Sequence, residues 1–363
     1  MKITVIIPRL TIAGVPLAQI RLAKAFSERG YSVDLIIGYI EKGSDLPSIE
    51  KINIIHFNKI KVRSMFFIFL SYLIKNKPNI IFSAEDHLNI LITFAVIISF
   101  SKVKLSCSSR VTPYDTYSNK IFSKRWLLKY LNKLTSWRVN VLTCVSEEMT
   151  KQYYEVLNSK RYVCVYNIID SQSSRKLMYQ AINNEWLNNK NIKVIIAAGK
   201  LAYWKGFENL INAFSIVSKE RDVKLIILGD GPQRSILEKL VYKLNLTNNV
   251  SLPGYVINPL SYFALSEVFV LSSIVEGMPN VLVEAMMCGC TPVSTNCPTG
   301  PKELLKNNKF GYLVPVGDKY AMSNAIIKAL DQPISKELLE EAIKPFNENV
   351  IVNKHIELIN INR

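Results

Sequence analysis

The chain has 363 residues, 49% hydrophobic and 20% charged, which excludes a disordered or fibrous chain and exceeds what one core ordinarily serves, so two domains are expected. Lys and Arg outnumber Asp and Glu by 45 to 29, a net charge of +16, and the excess sits early: residues 1–170 hold 24 cations against 12 acids, residues 171–363 hold 21 against 17. A surface this basic suits phosphates, as nucleic acid or as anionic lipid headgroups. Six cysteines, without zinc-ligand spacing and too sparse for a disulfide scaffold, read as reduced cytosolic thiols. Met1–Pro8 has a strand pattern rather than that of a signal peptide. The most apolar stretches, 65–74 and 90–100, are about half the ~20 residues that a bilayer-spanning helix requires.

Lys2–Pro8 predicts a first strand, 9–14 a loop, Pro16–Arg29 a helix stopped by Gly30, and Ser32–Ile37 a second strand. Such a βαβ opening means a parallel sheet. Asn53–Phe57 and Asn79–Phe82 are further short strands. Between them, Lys61–Lys75 is apolar nearly all round with cations at both ends. It fits a buried helix with solvated ends first, and second a helix dipping one face into a membrane interface. Lys104–Cys107 is another strand. Lys120–Arg138 alternates six cations with Phe122, Trp126, Tyr130, Trp137 and four leucines, and no acid occurs between Thr116 and Ser146. That is a basic amphipathic helix with aromatic anchors, as at an anionic lipid surface, with a plain solvated helix as the alternative. A nucleic-acid patch would need a recognised binding fold behind it, and none is legible, so no nucleic-acid partner is expected.

Val141–Ser146 and Tyr162–Asn167 close the first domain, and Ser171–Lys190, polar and aperiodic, reads as the boundary. A second α/β unit starts with a strand at Lys193–Gly199, followed by Lys200 and Lys205 in a loop. Lys224–Leu228 and Val250–Tyr255 are later strands. Val268–Leu271, short and β-branched, predicts a buried strand. After Ser272 and Ser273 come Glu276, Gly277, Met278 and Pro279; then Val281, Leu282, Ala285 and Met286 recur at helical spacing until Gly289. Glu276 falls at the helix mouth, with Glu284 roughly 7–8 Å further along the axis than Pro279 at ~1.5 Å per residue. Between them the N–H groups of Asn280, Val281 and Leu282 are expected to be free, an anion site reinforced by the helix dipole. Two carboxylates bracketing a phosphate site suit a nucleotide sugar, which has hydroxyls at both ends and a diphosphate between. A solvated Glu284 and a capping Glu276 fit the spacing equally.

The stretch Ser272–Met286, continued by Gly289, Pro292–Thr295 and Gly300–Leu304, resembles the E-x7-E signature of the retaining GT-B glycosyltransferases, the group-1 or GT4-type family. The similarity extends through 198–330 and more weakly back to Met1. It implies two Rossmann-like, doubly wound α/β domains facing one another across a cleft: an acceptor-side domain at 1–178, onto which a tail at 346–363 returns, and a nucleotide-sugar domain at 190–345. It implies retaining transfer of a hexose or N-acetylhexosamine from a nucleotide sugar, expected to be UDP-linked, to a glycan or lipid-linked surface-polysaccharide precursor. No metal and no cofactor beyond the sugar nucleotide is expected, and the protein is expected to be cytoplasmic and peripheral at the inner membrane face. An inactive sugar-binding or partner subunit of the same fold is the alternative, and a basic nucleic-acid-binding protein a more distant one.

By the same resemblance Glu276, Lys205 and Lys200 carry the chemistry. Gly199, Lys200, Lys205, Tyr255, Val256, Glu276, Gly277, Met278, Asn280, Val281 and Glu284 hold the donor. Gly14 stands where the family has the second of two phosphate-approaching glycines, and Ala13 replaces the first. Lys200 stands where the family has arginine and offers a point charge in place of a fork. On the acceptor side His87, Arg110 and Asp115 are candidates, Arg110 for an acceptor phosphate and Asp115 for a hydroxyl.

Overall fold

A computed structural model describes residues 1–11, 14–41 and 51–361; Ala13 lies outside them. The chain forms two compact units, one of residues 1–168 with 348–363, the other of residues 169–347. In the first, β1 (Lys2–Leu10), β2 (Ser32–Ile40), β3 (Ile52–His56), β4 (Ile80–Ala84), β5 (Lys104–Ser109), β6 (Val141–Cys144) and β7 (Tyr162–Cys164) make one parallel sheet in the order β3-β2-β1-β4-β5-β6-β7. The central strands are near-continuous apolar runs because helices cover both faces. Right-handed crossovers put the Gly14–Glu28 helix on one face, and the Phe66–Asn76, Asp86–Ile98 and Lys124–Thr135 helices on the other. The Glu348–Ile361 helix packs beside Gly14–Glu28, held by Arg29 Nη1 donating to Asn353 Oδ1 at 2.6 Å.

The Phe66–Asn76 helix is tied to the sheet by a buried polar knot. Tyr72 Oη donates to Asp34 Oδ2 at 2.5 Å and lies 2.7 Å from Thr4 Oγ1, and Lys2 Nζ is 2.9 Å from the same carboxylate. Burial pushes the Asp34 carboxyl up, but hydrogen bonds from Tyr72, Lys2 and Asn53 outweigh it, and its pKa is lowered.

In the second unit β8 (Lys193–Ala198), β9 (Val223–Leu228), β10 (Val250–Gly254), β11 (Val268–Leu271), β12 (Thr291–Thr295) and β13 (Tyr312–Val314) form a parallel sheet in the order β10-β9-β8-β11-β12-β13. Both sheets thus share the 3-2-1-4-5-6 winding, with a topological switch between β1 and β4 in one and between β8 and β11 in the other.

Three details differ from the sequence reading. The 171–190 stretch belongs to the second unit: its short helices are capped by Ser171 and Asn184, and Arg175 bonds Asp170 at 2.5 Å and Glu340 at 2.9 and 2.8 Å. Its polarity comes from these caps and ion pairs. The basic helix spans Lys124–Thr135 rather than the whole of 120–138, because Ser123 Oγ caps it by accepting from Trp126 N. The 61–75 stretch begins as a 3-10 turn, Val62–Met65, before its helix.

Candidate active site

Open parallel sheets bind ligands outside the carboxyl ends of their strands at the switch point. In the second unit that point lies after β8 and β11. After β8 the chain makes a 3-10 turn, Tyr203–Lys205, closed by Gly206 at φ 64°. A Cβ there would sit 2.1 Å from Ser272 O, so only glycine lets this turn meet the strand end of β11. The contact is stitched by Ser272 Oγ donating to Lys205 O at 2.7 Å and Ile274 N donating to Trp204 O at 2.8 Å.

This docking brings together two residues 71 positions apart. Lys205 Nζ lies 2.5 Å from Glu276 Oε1, with the side chains only 17% and 12% exposed, and the lysine stem passes over Gly199. Ser273 Oγ donates to the same carboxylate oxygen at 2.6 Å. The Glu276 backbone is held from the other side: its N–H donates to Pro298 O at 2.7 Å, and its carbonyl accepts from Thr299 N at 2.9 Å. Thr299 Oγ1 donates to Gly277 O at 2.5 Å. Ser273 and Thr299 were not legible as site residues, since small hydroxyls are common in any loop. The signal lay beside them in Gly300, which stands at φ 97° against Gly277 O and the Pro279 ring.

The helix after this loop spans Asn280–Met287, with Pro279 at its N-cap and no side chain capping it. The expectation of three free N–H groups is corrected. Asn280 N donates to Met278 O and Leu282 N to Pro279 O, both at 2.9 Å, because the proline-led turn folds back on itself. Among the described residues Val281 makes no such turn bond. Glu284 is half-buried on this helix, one turn before Cys288, whose thiol is pushed up by burial and by the Glu284 charge. Met278 is buried and Gly277 half-buried. Lys200 is exposed, and Lys205 is the lysine that holds Glu276. Exposed Tyr255 and half-buried Val256 follow β10, the outermost strand on that side.

In the first unit Gly14 opens the Gly14–Glu28 helix after β1. Across the switch, Glu85 follows β4 at φ 79°, and His87 Nε2 lies 3.4 Å from Glu85 Oε2. Burial lowers the His87 pKa and raises that of Glu85, the latter partly offset by Arg110. Arg110, after β5, donates to Asn167 Oδ1, while its buried Nε has no hydrogen-bond partner. Burial pulls its pKa down to about 10, still high enough to keep it charged at neutral pH. Asp86, missed by the sequence reading, is fully buried and accepts from Ser109 Oγ at 2.7 Å and Tyr153 Oη at 2.8 Å. Asp115 is exposed on the Pro113–Thr116 turn.

Two parallel, doubly wound Rossmann-like units give the chain the GT-B fold. Residues 179–345 match the family Glycosyl transferases group 1. It is 29% identical over 301 residues to an uncharacterized glycosyltransferase of Methanocaldococcus jannaschii, covering 78% of this chain and 71% of that one. It is 33% identical over 187 residues to the N-acetylgalactosamine-N,N'-diacetylbacillosaminyl-diphospho-undecaprenol 4-alpha-N-acetylgalactosaminyltransferase of Campylobacter jejuni, half of either chain. The crystal structure of Anabaena HepE in complex with UDP and glucose superposes with a TM-score of 0.79 at 18% identity, covering 99% of this chain and all of that one.

Proposed function

We propose that the protein is a retaining, metal-independent glycosyltransferase. In this reading it moves a hexose or N-acetylhexosamine from a UDP-sugar to a hydroxyl of a lipid-linked or surface-polysaccharide precursor. The observation that carries the reading is the Lys205–Glu276 pair, held at the switch point beside the start of the Asn280–Met287 helix. The ammonium has three donors, so it can keep Glu276 while taking a diphosphate oxygen. Lys205, with Val281 N–H and the helix dipole, stabilises the charge that grows on the diphosphate as the C1–O bond breaks. The acceptor oxygen bonds C1 from the same face, and its proton passes to the departing phosphate oxygen. Glu276 orients sugar hydroxyls and Glu284 the ribose.

The undecaprenol-linked substrate named for the Campylobacter relative, and the UDP and glucose bound by HepE, support the choice of donor and acceptor class. The acceptor would be met at the inner membrane face by a cytoplasmic enzyme, with 120–138 and 61–75 as the attachment segments. Among the described residues no helix is long and apolar enough to cross a membrane.

Thermal-shift screening of nucleotide sugars, followed by transfer of a radiolabelled sugar to lipid-linked acceptors, tests the proposal. A donor at 100 times its Kd should add about 2.7 kcal/mol of stability. A protein that no nucleotide sugar stabilises would refute it.

A further inference from the structure

The Asp86–Ile98 helix carries no cation, so its composition gives no reason to place it near a membrane. Yet it packs between the two helices that composition did single out. The Phe66 and Phe94 rings are 6.0 Å apart, and Arg138, just past the basic helix, donates to Ser101 O at 2.6 Å and Val103 O at 2.9 Å. The three helices therefore form one layer on one face of the first unit's sheet.

Two phenylalanines on this layer are almost wholly exposed on left-handed backbone. Phe100 follows the Asp86–Ile98 helix at φ 49°, in the left-handed position after the C-cap where glycine is usual, and is 92% exposed. Phe122 precedes the cap of the Lys124–Thr135 helix at φ 63°; its ring centroid is 5.9 Å from that of Trp126, yet the residue is 91% exposed. That tilted contact leaves almost all of the residue open to solvent, so packing on the helix does not account for it. Left-handed backbone is strained for a residue with a Cβ, and neither residue is buried in return. Both helices run from the carboxyl to the amino edge of the sheet, so the two rings stand at opposite ends of the layer, ~18 Å apart by the length of a 12-residue helix. Phe67, Phe94 and Trp137 are exposed as well.

Charge selects the occupant. Residues 51–146 contain fifteen Lys and Arg against three acids, one of which, Asp86, is buried. A second copy of this face would set like charge against like. An anionic bilayer takes aromatic rings into its interface and meets ammonium groups with phosphates. We propose that the outer face of these three helices is a lipid-docking platform, with Phe100 and Phe122 as its inserting side chains. This rests on the membrane attachment proposed above, adds a third helix to it, and assigns the residues that enter.

The test is co-sedimentation of the full chain with vesicles of phosphatidylcholine alone, or with about 30% phosphatidylglycerol added to supply the anionic surface. The parent should partition to the anionic vesicles only. Phe100→Ser and Phe122→Ser should each lower the partition coefficient about tenfold, with little change in melting temperature, because each loses an interfacial ring that folding barely buries. Brominated acyl chains should quench fluorescence in the parent, and less in Trp137→Phe. Unchanged partitioning of both serine variants would overturn the platform and leave membrane attachment standing. No partitioning of the parent would overturn both. A concentration-dependent dimer abolished by the same substitutions would overturn the lipid assignment.

Discussion

Replacing Lys205 with methionine removes the cation facing Glu276 and keeps the stem over Gly199. The carboxylate is then left 12% exposed, with Ser273 Oγ as its hydroxyl donor. Breaking a fully buried pair costs about 3–5 kcal/mol; the surviving hydroxyl bond and the slight opening to water bring this to roughly 2–3 kcal/mol here. Glu276→Gln alone should cost less, about 1–2 kcal/mol, because a lysine can turn its ammonium to solvent. The double variant should recover about 1–2 kcal/mol relative to the sum of the singles. Urea unfolding of the second unit, read through Trp186 and Trp204 in a Trp126→Phe, Trp137→Phe background, measures the cycle. Single effects that add within about 0.5 kcal/mol would refute the ion pair.

Gly206→Ala places a methyl against Ser272 O in a left-handed turn, and should destabilise the second unit by roughly 2–4 kcal/mol in the same assay. Tyr72→Phe takes one donor from buried Asp34 and should cost the first unit about 1.5–3 kcal/mol in urea unfolding followed through Trp126 and Trp137. Burial lowers the pKa of His355 from 6.5 to about 3. The unfolded chain therefore takes up this proton first, so the stability contribution is present above pH 6.5 and is lost as pH falls toward 3. Between pH 6.5 and 4.5 it removes about 2 kcal/mol, and His355→Leu should flatten that part of the stability–pH curve of the first unit.

The parallel sheets were legible because strands covered on both faces must be apolar throughout, as in Val33–Ile37 and Val268–Leu271. The 171–190 segment was not: short helices closed by serine, asparagine and ion pairs have the composition of a linker. Glu276 and Glu284 could be placed on a helix mouth from local spacing alone. The partner of Glu276, Lys205, is 71 residues away, and their contact depends on the winding of β8 and β11 and on one glycine. Resemblance aligned Lys205 with the site; composition could not. The free N–H groups expected at the helix start failed because a proline at the N-cap turns the preceding loop back onto the first turn. Phe100 passed unnoticed inside an apolar run, since exposure is a property of the fold.

The central claim is that the switch point of the second unit holds a nucleoside diphosphate. Calorimetric titration of UDP into the full chain, the Lys205→Met variant and the Glu284→Ala variant tests it most directly. Binding by the parent is expected, weakened about tenfold or more in each variant, the magnitude of one lost charge-assisted hydrogen bond. If both variants take up UDP as tightly as the parent does, the nucleotide does not sit there.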